Sequence, residues 1–517
     1  MVLSTLPVHP GWFFFLYIIN METLRIELTD SAFMTIHSDD GIAMELAEFF
    51  KFRVANYQFM PAYKNKMWDG YIRLFDMRRR RLYSGLIHYV RDFAKSRGYN
   101  IEMVDNEFGY GTQQKIDIDE LMNALTITSK GKKITPYDYQ IESVIDALES
   151  KRKLLLSPTS SGKSLIIYMM IRYYLDMYDQ NVLLCVPRIA LVHQMFSDFE
   201  DYSEFDPFDV GASCHKIYGG QEKTGYKQRV TITTWQSIFK QPKGWFKQFG
   251  MVLGDEAHEF KAKSLTKLME ACTEAKYRVG TTGTLDDCET NQLVLEGVFG
   301  QVKKVIKTKT LMQQGKVAQL KINMLLLKWK DEYRKACAKL KYPEEIDLIV
   351  THEQRNQFIT RLVMDDKLKG NTLVLFQFVE KHGKPLCEMI REAAGDRKVF
   401  YVSGETAGTD REEIRGIVEK EEDAIIVASF GTFSTGISIK RIHNLVFTSP
   451  SKSIIKILQS IGRVLRLSGD GIESTVYDIS DDLSWKKKEN YALKHAGIRH
   501  DIYRKEGFSV EIHEIEF

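Results

Sequence analysis

KLLLSPTSSGKS, Lys153 to Ser164, decides how the rest of this 517-residue chain is read. The apolar run KLLLSP fits a buried strand, and the small-residue loop behind it opens a helical segment. In that setting SPTSSGKS (Ser157 to Ser164) has the spacing of a phosphate loop, in which backbone N–H groups and a helix N-terminus wrap phosphate oxygens. Ser157, Pro158, Thr159, Ser160, Ser161 and Gly162 form the cradle. The Lys163 ammonium reaches the outer phosphates of ATP, and the Ser164 hydroxyl sits on Mg²⁺. Ser157 stands where the pattern G-x-x-x-x-G-K-[ST] has its first glycine. Taken alone the motif is weaker for it, and a Gly/Ser-rich surface loop is the alternative.

Outward from the loop, apolar runs alternate with helical stretches. NVLLCVP, RVTITTW, MVLGDE and YRVGTTGT form one series; NTLVLFQF, KVFYVSG, AIIVAS, HNLVFTSP and STVYDIS form a second of similar rhythm, starting near Lys321. Such alternation predicts parallel sheets covered on both faces, and two series predict two lobes joined somewhere in residues 305–320. MVLGDEAH (Met251 to His258) ends an apolar strand in two carboxylates, at the sheet edge where ligands gather. Asp255 is the candidate Mg²⁺ ligand, and Glu256 the group that positions and deprotonates the attacking water. An acidic pair by itself is more often a solvated turn or helix cap. A phosphate loop about ninety residues upstream favours the catalytic reading.

These residues resemble the superfamily 2 helicases, and the motifs from Tyr137 to Asp478 occur in that family's order. YDYQ, ending in Gln140, resembles the adenine-sensing segment. VPRIALVHQ and TITTWQS resemble the two strand-contact motifs of the first lobe, which implies backbone contacts from Pro187, Arg188, Thr234 and Gln236. DEAH with His258, and TTGT with Thr282 and Thr284, imply coupling of hydrolysis to nucleic-acid grip. In the second lobe LVLFQFVEKHG, IIVASFGTFSTGISI and QSIGRVLR resemble motifs IV, V and VI. They imply nucleotide contacts from Gly436 and Gln459, and arginine fingers at Arg463 and Arg466 whose forked hydrogen bonds stabilise the transferring phosphoryl group. The resemblance implies an α/β fold of two tandem RecA-like lobes that close on ATP. Ser438, where many relatives carry an acid, and Arg188, where a hydroxyl residue is common, depart from the pattern.

Net charge over the whole chain is only +3, but between Lys51 and Arg97 twelve Lys/Arg face three acids, a balance of +9. This asymmetry predicts a small α+β module that binds a polyanion, with helices over 41–52 and 88–97. GYIRLFD and RLYSGLI read as strands joined by a basic turn, which places Arg78, Arg79, Arg80 and Arg81 at a hairpin tip for sequence-independent phosphate contact. A solvated charge run is the alternative. Module and motor together resemble the recombination and repair helicases of T-even bacteriophages. That implies DNA as partner, especially Holliday junctions, stalled forks, D-loops and R-loops, the last an RNA–DNA hybrid.

The reading divides the chain into a leader of no assigned function (1–20), the basic module (21–112), lobe 1 (113–306), lobe 2 (307–485) and a charged tail (486–517). The apolar fraction of 44% excludes disorder over most of the chain. The apolar run from Trp12 to Ile19 is too short to span a bilayer and lacks the features of a signal peptide, so a cytoplasmic location without a membrane partner is expected; the resemblance to the phage helicases implies the host cytoplasm, and a monomer is expected. Six scattered cysteines without a C-x-x-C pair argue against a zinc or iron–sulfur site. His215 and the other dispersed histidines read as structural. Rival readings are an RNA helicase, a duplex translocase that separates no strands, and a nucleic-acid-binding scaffold with a degenerate nucleotide site.

Overall fold

The computed structural model describes residues 22–54, 57–104, 115–123, 125–261, 263–285, 289–436, 439, 441–465 and 473–517. The leader 1–20 and Arg466 lie outside the described residues, as does Ser438. The chain divides into two compact units, one of Met1–Leu155, Ser164–Thr282 and Asp287–Lys303, the other of Leu156–Lys163, Gly283–Asp286 and Lys304–Phe517.

The amino-terminal module is built from β1 (Thr23–Leu28), β2 (Phe33–His37), β3 (Lys51–Arg53), β4 (Tyr71–Arg73), β5 (Arg81–Tyr83) and β6 (Asn100–Met103). Four of these form a mixed sheet in the order β5-β2-β1-β6, with only the β1–β6 pair parallel. Leu24, Ile26 and Leu28 alternate onto one face, where they meet Ile42 and Leu46 of the helix Asp40–Phe49 and Val90 and Phe93 of the helix Ile87–Arg97. Each such aliphatic side chain contributes about 1.5–3 kcal/mol on full burial. The Asp39 carboxylate caps the first helix by accepting from the Ile42 N–H at 2.8 Å, and Gly98, at φ +74°, ends the second.

Two sequence expectations fail in this module. The helix foreseen over 41–52 stops at Phe49, because Phe50 turns fully into the core and Lys51–Arg53 becomes a strand paired with β4. The strands flanking the arginines do not form a hairpin with each other: β4 pairs β3 and β5 pairs β2, joined only by the bridge Asp76↔Arg81. The Asp76 carboxylate holds the turn by accepting from the N–H groups of Arg78 and Arg79, at 3.0 and 3.1 Å.

Within the same compact unit the module is sealed against the first motor sheet. The Tyr83 hydroxyl donates to Glu270 at 2.6 Å, and the His88 ring lies 2.9 Å from the nearly buried Glu296 carboxylate. The fully buried Arg278 guanidinium donates to the Ser31 hydroxyl at 2.8 Å and to the carbonyls of Met269 and Cys272. A Cβ on Gly85 would lie 2.1 Å from the Glu296 carbonyl oxygen, so only glycine permits this approach.

After a short antiparallel hairpin, β7 (Thr128–Ser129) with β8 (Lys132–Lys133), the first motor sheet comprises β9 (Arg152–Leu156), β10 (Asn181–Val186), β11 (Cys214–Ile217), β12 (Val230–Thr234), β13 (Phe249–Asp255), β14 (Tyr277–Thr282) and β15 (Val302–Lys304). Their order is β11-β12-β10-β13-β14-β9-β15. Every residue of β12, β13 and β14 is buried, as a sheet covered on both faces requires.

The second sheet comprises β16 (Leu320–Lys328), β17 (Thr372–Phe376), β18 (Val399–Val402), β19 (Ile425–Ser429), β20 (Asn444–Phe447), β21 (Ser474–Asp482) and β22 (Ser509–Glu516), in the order β18-β19-β17-β20-β21-β16-β22. The segment after 485, read above as a tail, is part of this sheet. β22 pairs in parallel with β16 from Lys321↔Ser509 to Lys328↔Glu516, and Arg499 of the helix Tyr491–Glu506 makes a two-pronged, fully buried ion pair with Asp478 at 2.7 Å. A second buried pair, Arg355 with Asp481 at 2.8 Å, lies across β21 from the helix Glu353–Val363. Among the described residues no helix is long and apolar enough to cross a membrane.

Candidate active site

Parallel strands deliver all their C-terminal ends to one edge, so the loops that follow them become neighbours without any long-range design. In the first sheet β10 and β12 pair in register from Val182↔Val230 to Val186↔Thr234, and β13 and β14 from Met251↔Tyr277 to Asp255↔Thr281. The order β12-β10-β13-β14 therefore brings to one edge, in turn, Thr234 to Gln236, Pro187 to Arg188, Asp255 to His258 and Thr282.

The phosphate loop turns through two left-handed residues, Ser160 at φ +68° and Gly162 at φ +82°. Gly162 adopts this without cost; Ser160 is held there by its surroundings. The hydroxyls of Ser157 and Ser161 lie 2.5 Å apart in the buried floor, and the Ser161 hydroxyl also donates to the Pro158 carbonyl at 2.6 Å. Ser157, in the place of a glycine, thus has a job: its hydroxyl fastens the loop. The Lys163 ammonium donates to the Ser157 carbonyl at 3.3 Å, inside the turn it is meant to serve. Within the unit that contains both Leu156–Lys163 and Lys304–Phe517, the Ser160 hydroxyl donates to the Gly462 carbonyl at 3.3 Å. A Cβ on Gly462 would come 2.4 Å from Thr159. Gly462 belongs to QSIGRVLR, on the helix Ile454–Val464.

Ser164 is the second residue of the helix Lys163–Met177, and its hydroxyl lies 2.8 Å from that of Tyr202, at the far end of the helix Ile189–Tyr202. Burial raises the Tyr202 phenol above its usual range, so it stays protonated and can donate. Asp255 is 5% exposed and its Oδ1 accepts from the Thr281 hydroxyl at 2.7 Å. Glu256 takes a left-handed backbone, φ +49°, and its carboxylate lies 3.4 Å from His258. The same His258 nitrogen lies 3.0 Å from the Thr282 hydroxyl. Two polar links therefore run from β13 and the turn after it to β14: Asp255 with Thr281, and Glu256 through His258 to Thr282. Thr284 is buried at the end of that segment.

Gln140 is 4% exposed, and its side-chain oxygen accepts from the Tyr137 N–H at 2.8 Å, capping the helix Asp138–Ser150. Pro187 is buried, whereas Arg188 is exposed at the start of its helix, 4.0 Å from Glu259. The Thr234 hydroxyl lies 2.9 Å from that of Ser237, and Gln236 is exposed beside them. Gln459 is half-buried on the helix Ile454–Val464. Gly436 ends the helix Phe430–Gly436, and the side chain of Arg463 is outside what the structure describes.

The four arginines of the basic module divide. Arg80 pairs with Asp40, and the Arg81 guanidinium lies 3.8 Å over the Phe33 ring. Arg78 and Arg79 are exposed. His215 stacks on Tyr226 at 4.2 Å, a structural role. The five cysteines among the described residues are free and buried, and no cluster of metal-binding side chains is found there. Tyr202 and Thr281 escaped the sequence reading as site residues: nothing local marks Tyr202, while Thr281 lies inside TTGT and could have been weighed with its neighbours.

Three family models match the chain: "DNA helicase UvsW, N-terminal" over residues 23–105, "Type III restriction enzyme, res subunit" over 133–287, and "Helicase conserved C-terminal domain" over 354–468. The ATP-dependent DNA helicase uvsW of Enterobacteria phage T4 is 36% identical over 501 residues, covering 94% of this chain and 98% of that protein. A DNA 3'-5' translocase, XPB2 of Sulfurisphaera tokodaii, is 23% identical and covers 69% of this chain and 84% of its own length. The crystal structure of T4 UvsW superposes with a TM-score of 0.51 at 34% identity, over 96% of this chain and 99% of that one. With a relative 36% identical over nearly its whole length and a UvsW-type module in front, the chain belongs to the UvsW family of superfamily 2 ATP-dependent DNA helicases.

Proposed function

We propose that this helicase spends ATP to move along and remodel branched DNA, such as four-way junctions, stalled forks and strand-invasion loops. The observation that carries the reading is the sheet edge on which the strand-contact segments 234–236 and 187–188 lie next to the acids Asp255 and Glu256. Lys163 and the loop 157–162 take the phosphates, and Arg463 and Arg466 supply guanidinium groups to the transferring phosphoryl. Glu256 orients the attacking water, and His258 with Thr282 and Thr284 relays the state of the nucleotide to β14. Pro187, Arg188, Thr234 and Gln236 touch the strand backbone; Gln140 with its neighbours meets the base of ATP, and Gly436 and Gln459 the nucleotide. Ser164 and Asp255 offer oxygen donors only, which suits Mg²⁺, a cation that neutralises phosphate charge when bound. The exposed Arg78 and Arg79 carry the module's phosphate contacts, with Arg80 and Arg81 fixing the turn that presents them.

Unwinding of a synthetic four-way junction, with linear duplex and RNA duplex as parallel substrates, tests the proposal. Wild type separates the junction only with ATP, and Lys163→Ala binds it but neither hydrolyses nor unwinds. DNA-stimulated hydrolysis surviving in Lys163→Ala, or preference for RNA, overturns it.

A further inference from the structure

Between β3 and β4 the module carries an insertion that serves no core. From Lys51 to Asp69 no described residue is buried, yet the segment holds Tyr57, Phe59, Met60, Tyr63, Met67 and Trp68. Met67 is 81% exposed and Phe59 66%. Apolar side chains displayed without a core mark a surface that something else covers.

The described residues of the insertion nonetheless pack on one another. Tyr57 meets Tyr63 edge-on at 4.6 Å and packs against Gly70, where a Cβ would lie 2.6 Å from its ring. The Arg53 guanidinium lies over Tyr57 at 4.4 Å and over Tyr71 at 5.1 Å. The Trp68 indole N–H donates to the Tyr71 carbonyl at 2.7 Å, which locks the ring's direction. Lys66 is held at φ +55°, between the helical turn Pro61–Lys64 and Met67. These contacts frame a surface cavity of about 650 Å³ with Tyr63 and Trp68 in its wall and Lys64 and Lys66 beside them.

Charge says what fits there. Asp69, the acid at this cavity, is already neutralised by Arg73, at 2.5 Å. Among the described residues Lys64 and Lys66 have no acidic partner. Flat π-faces beside unpaired cations match a nucleotide: the base stacks and the phosphate meets ammonium groups. Duplex DNA shows its phosphates but hides its base faces, so only an unpaired stretch can use both features.

We propose that the cavity walled by Tyr63 and Trp68 binds an unpaired nucleotide of the DNA strand, with Lys64 and Lys66 on its flanking phosphates. The inference rests on the module's role in DNA binding and is independent of any preference for branches.

Binding of fluorescein-labelled dT20 to the full chain without ATP tests it, against two controls: a 20-mer of abasic nucleotides and a 20-base-pair duplex. Base stacking on one aromatic corresponds to roughly a five- to hundredfold change in affinity. Trp68→Ala should weaken dT20 binding by that factor and leave the abasic strand and duplex unchanged, with Trp68→Phe restoring most of it. Lys64→Glu with Lys66→Glu, both at exposed positions, should weaken both single strands. If the lysine variant and Trp68→Ala bind dT20 within twofold of wild type, the site is wrong. If Trp68→Ala weakens dT20 and the abasic strand equally, base stacking is wrong. Junction unwinding by wild type is read separately, so failure here leaves the motor assignment standing and failure there leaves this one.

Discussion

Replacing Thr281 by valine keeps volume and β-branching while deleting one hydroxyl. That hydroxyl donates to Asp255 at 2.7 Å, in a setting where Thr281 is 1% and Asp255 5% exposed. Water therefore cannot substitute without opening the strand pair. A hydrogen bond to a charged group contributes about 1.5–3 kcal/mol net. If Asp255 must hold one orientation to meet the metal, losing that restraint lowers kcat/KM for DNA-stimulated ATP hydrolysis roughly 10- to 150-fold. Thr281→Ser keeps the donor and should stay within a few-fold of wild type. Phosphate release on saturating single-stranded DNA, with Mg²⁺ titrated, gives the measurement; Thr281→Val should also need more Mg²⁺. Equal activity of the valine and serine variants would refute the claim that β14 orients the acid on β13.

Two further outcomes concern the second unit. Burial, aided by nearby Arg355, pushes His382 down to about 3, below the usual 6.5, so the unfolded chain takes up this proton first. Its contribution to stability is complete above pH 6.5 and is lost as the pH falls toward 3. Between pH 6.5 and 5 that loss is about 2 kcal/mol, and urea unfolding at the two pH values should show it shrinking in His382→Gln. Asp481→Ala strands the fully buried Arg355 guanidinium, which should cost about 3–5 kcal/mol. Replacing both residues by apolar ones of similar volume should recover much of it, and denaturant midpoints of the single and double variants decide.

Much of the fold was legible because its information is local. Apolar runs of strand length between helical stretches specify parallel sheets whatever the partner strands are, and the motifs sit where those runs end. Pairing between distant segments was not. VEIHEIE in β22 is mostly polar and exposed, so nothing local marks it as a sheet strand, and its partner β16 precedes it by nearly two hundred residues. Arg499, the residue that locks this segment down, looks like any surface arginine until Asp478 is placed beside it. The surroundings of the arginine run were hidden for the same reason. Charge density predicts contact with phosphates for all four, whereas Asp40 and Phe33, which engage Arg80 and Arg81, come from other elements. At the site, backbone-borne chemistry was readable from spacing, and the hydroxyls that aim it were not. Tyr202 reaches Ser164 only because its helix folds back along the sheet.

Gly85 has a bearing on how a stroke would be transmitted. A ten-residue flexible tether between grip and engine would wander by about 17 Å, five times the ~3.4 Å that separates successive nucleotides of one strand. Such slack would swallow a one-base displacement. Backbone pressed on backbone, with a buried guanidinium bolting the seam, leaves no slack of that kind. DNA held by the front domain would move with the first RecA-like sheet, and a displacement of one nucleotide would reach it undiminished.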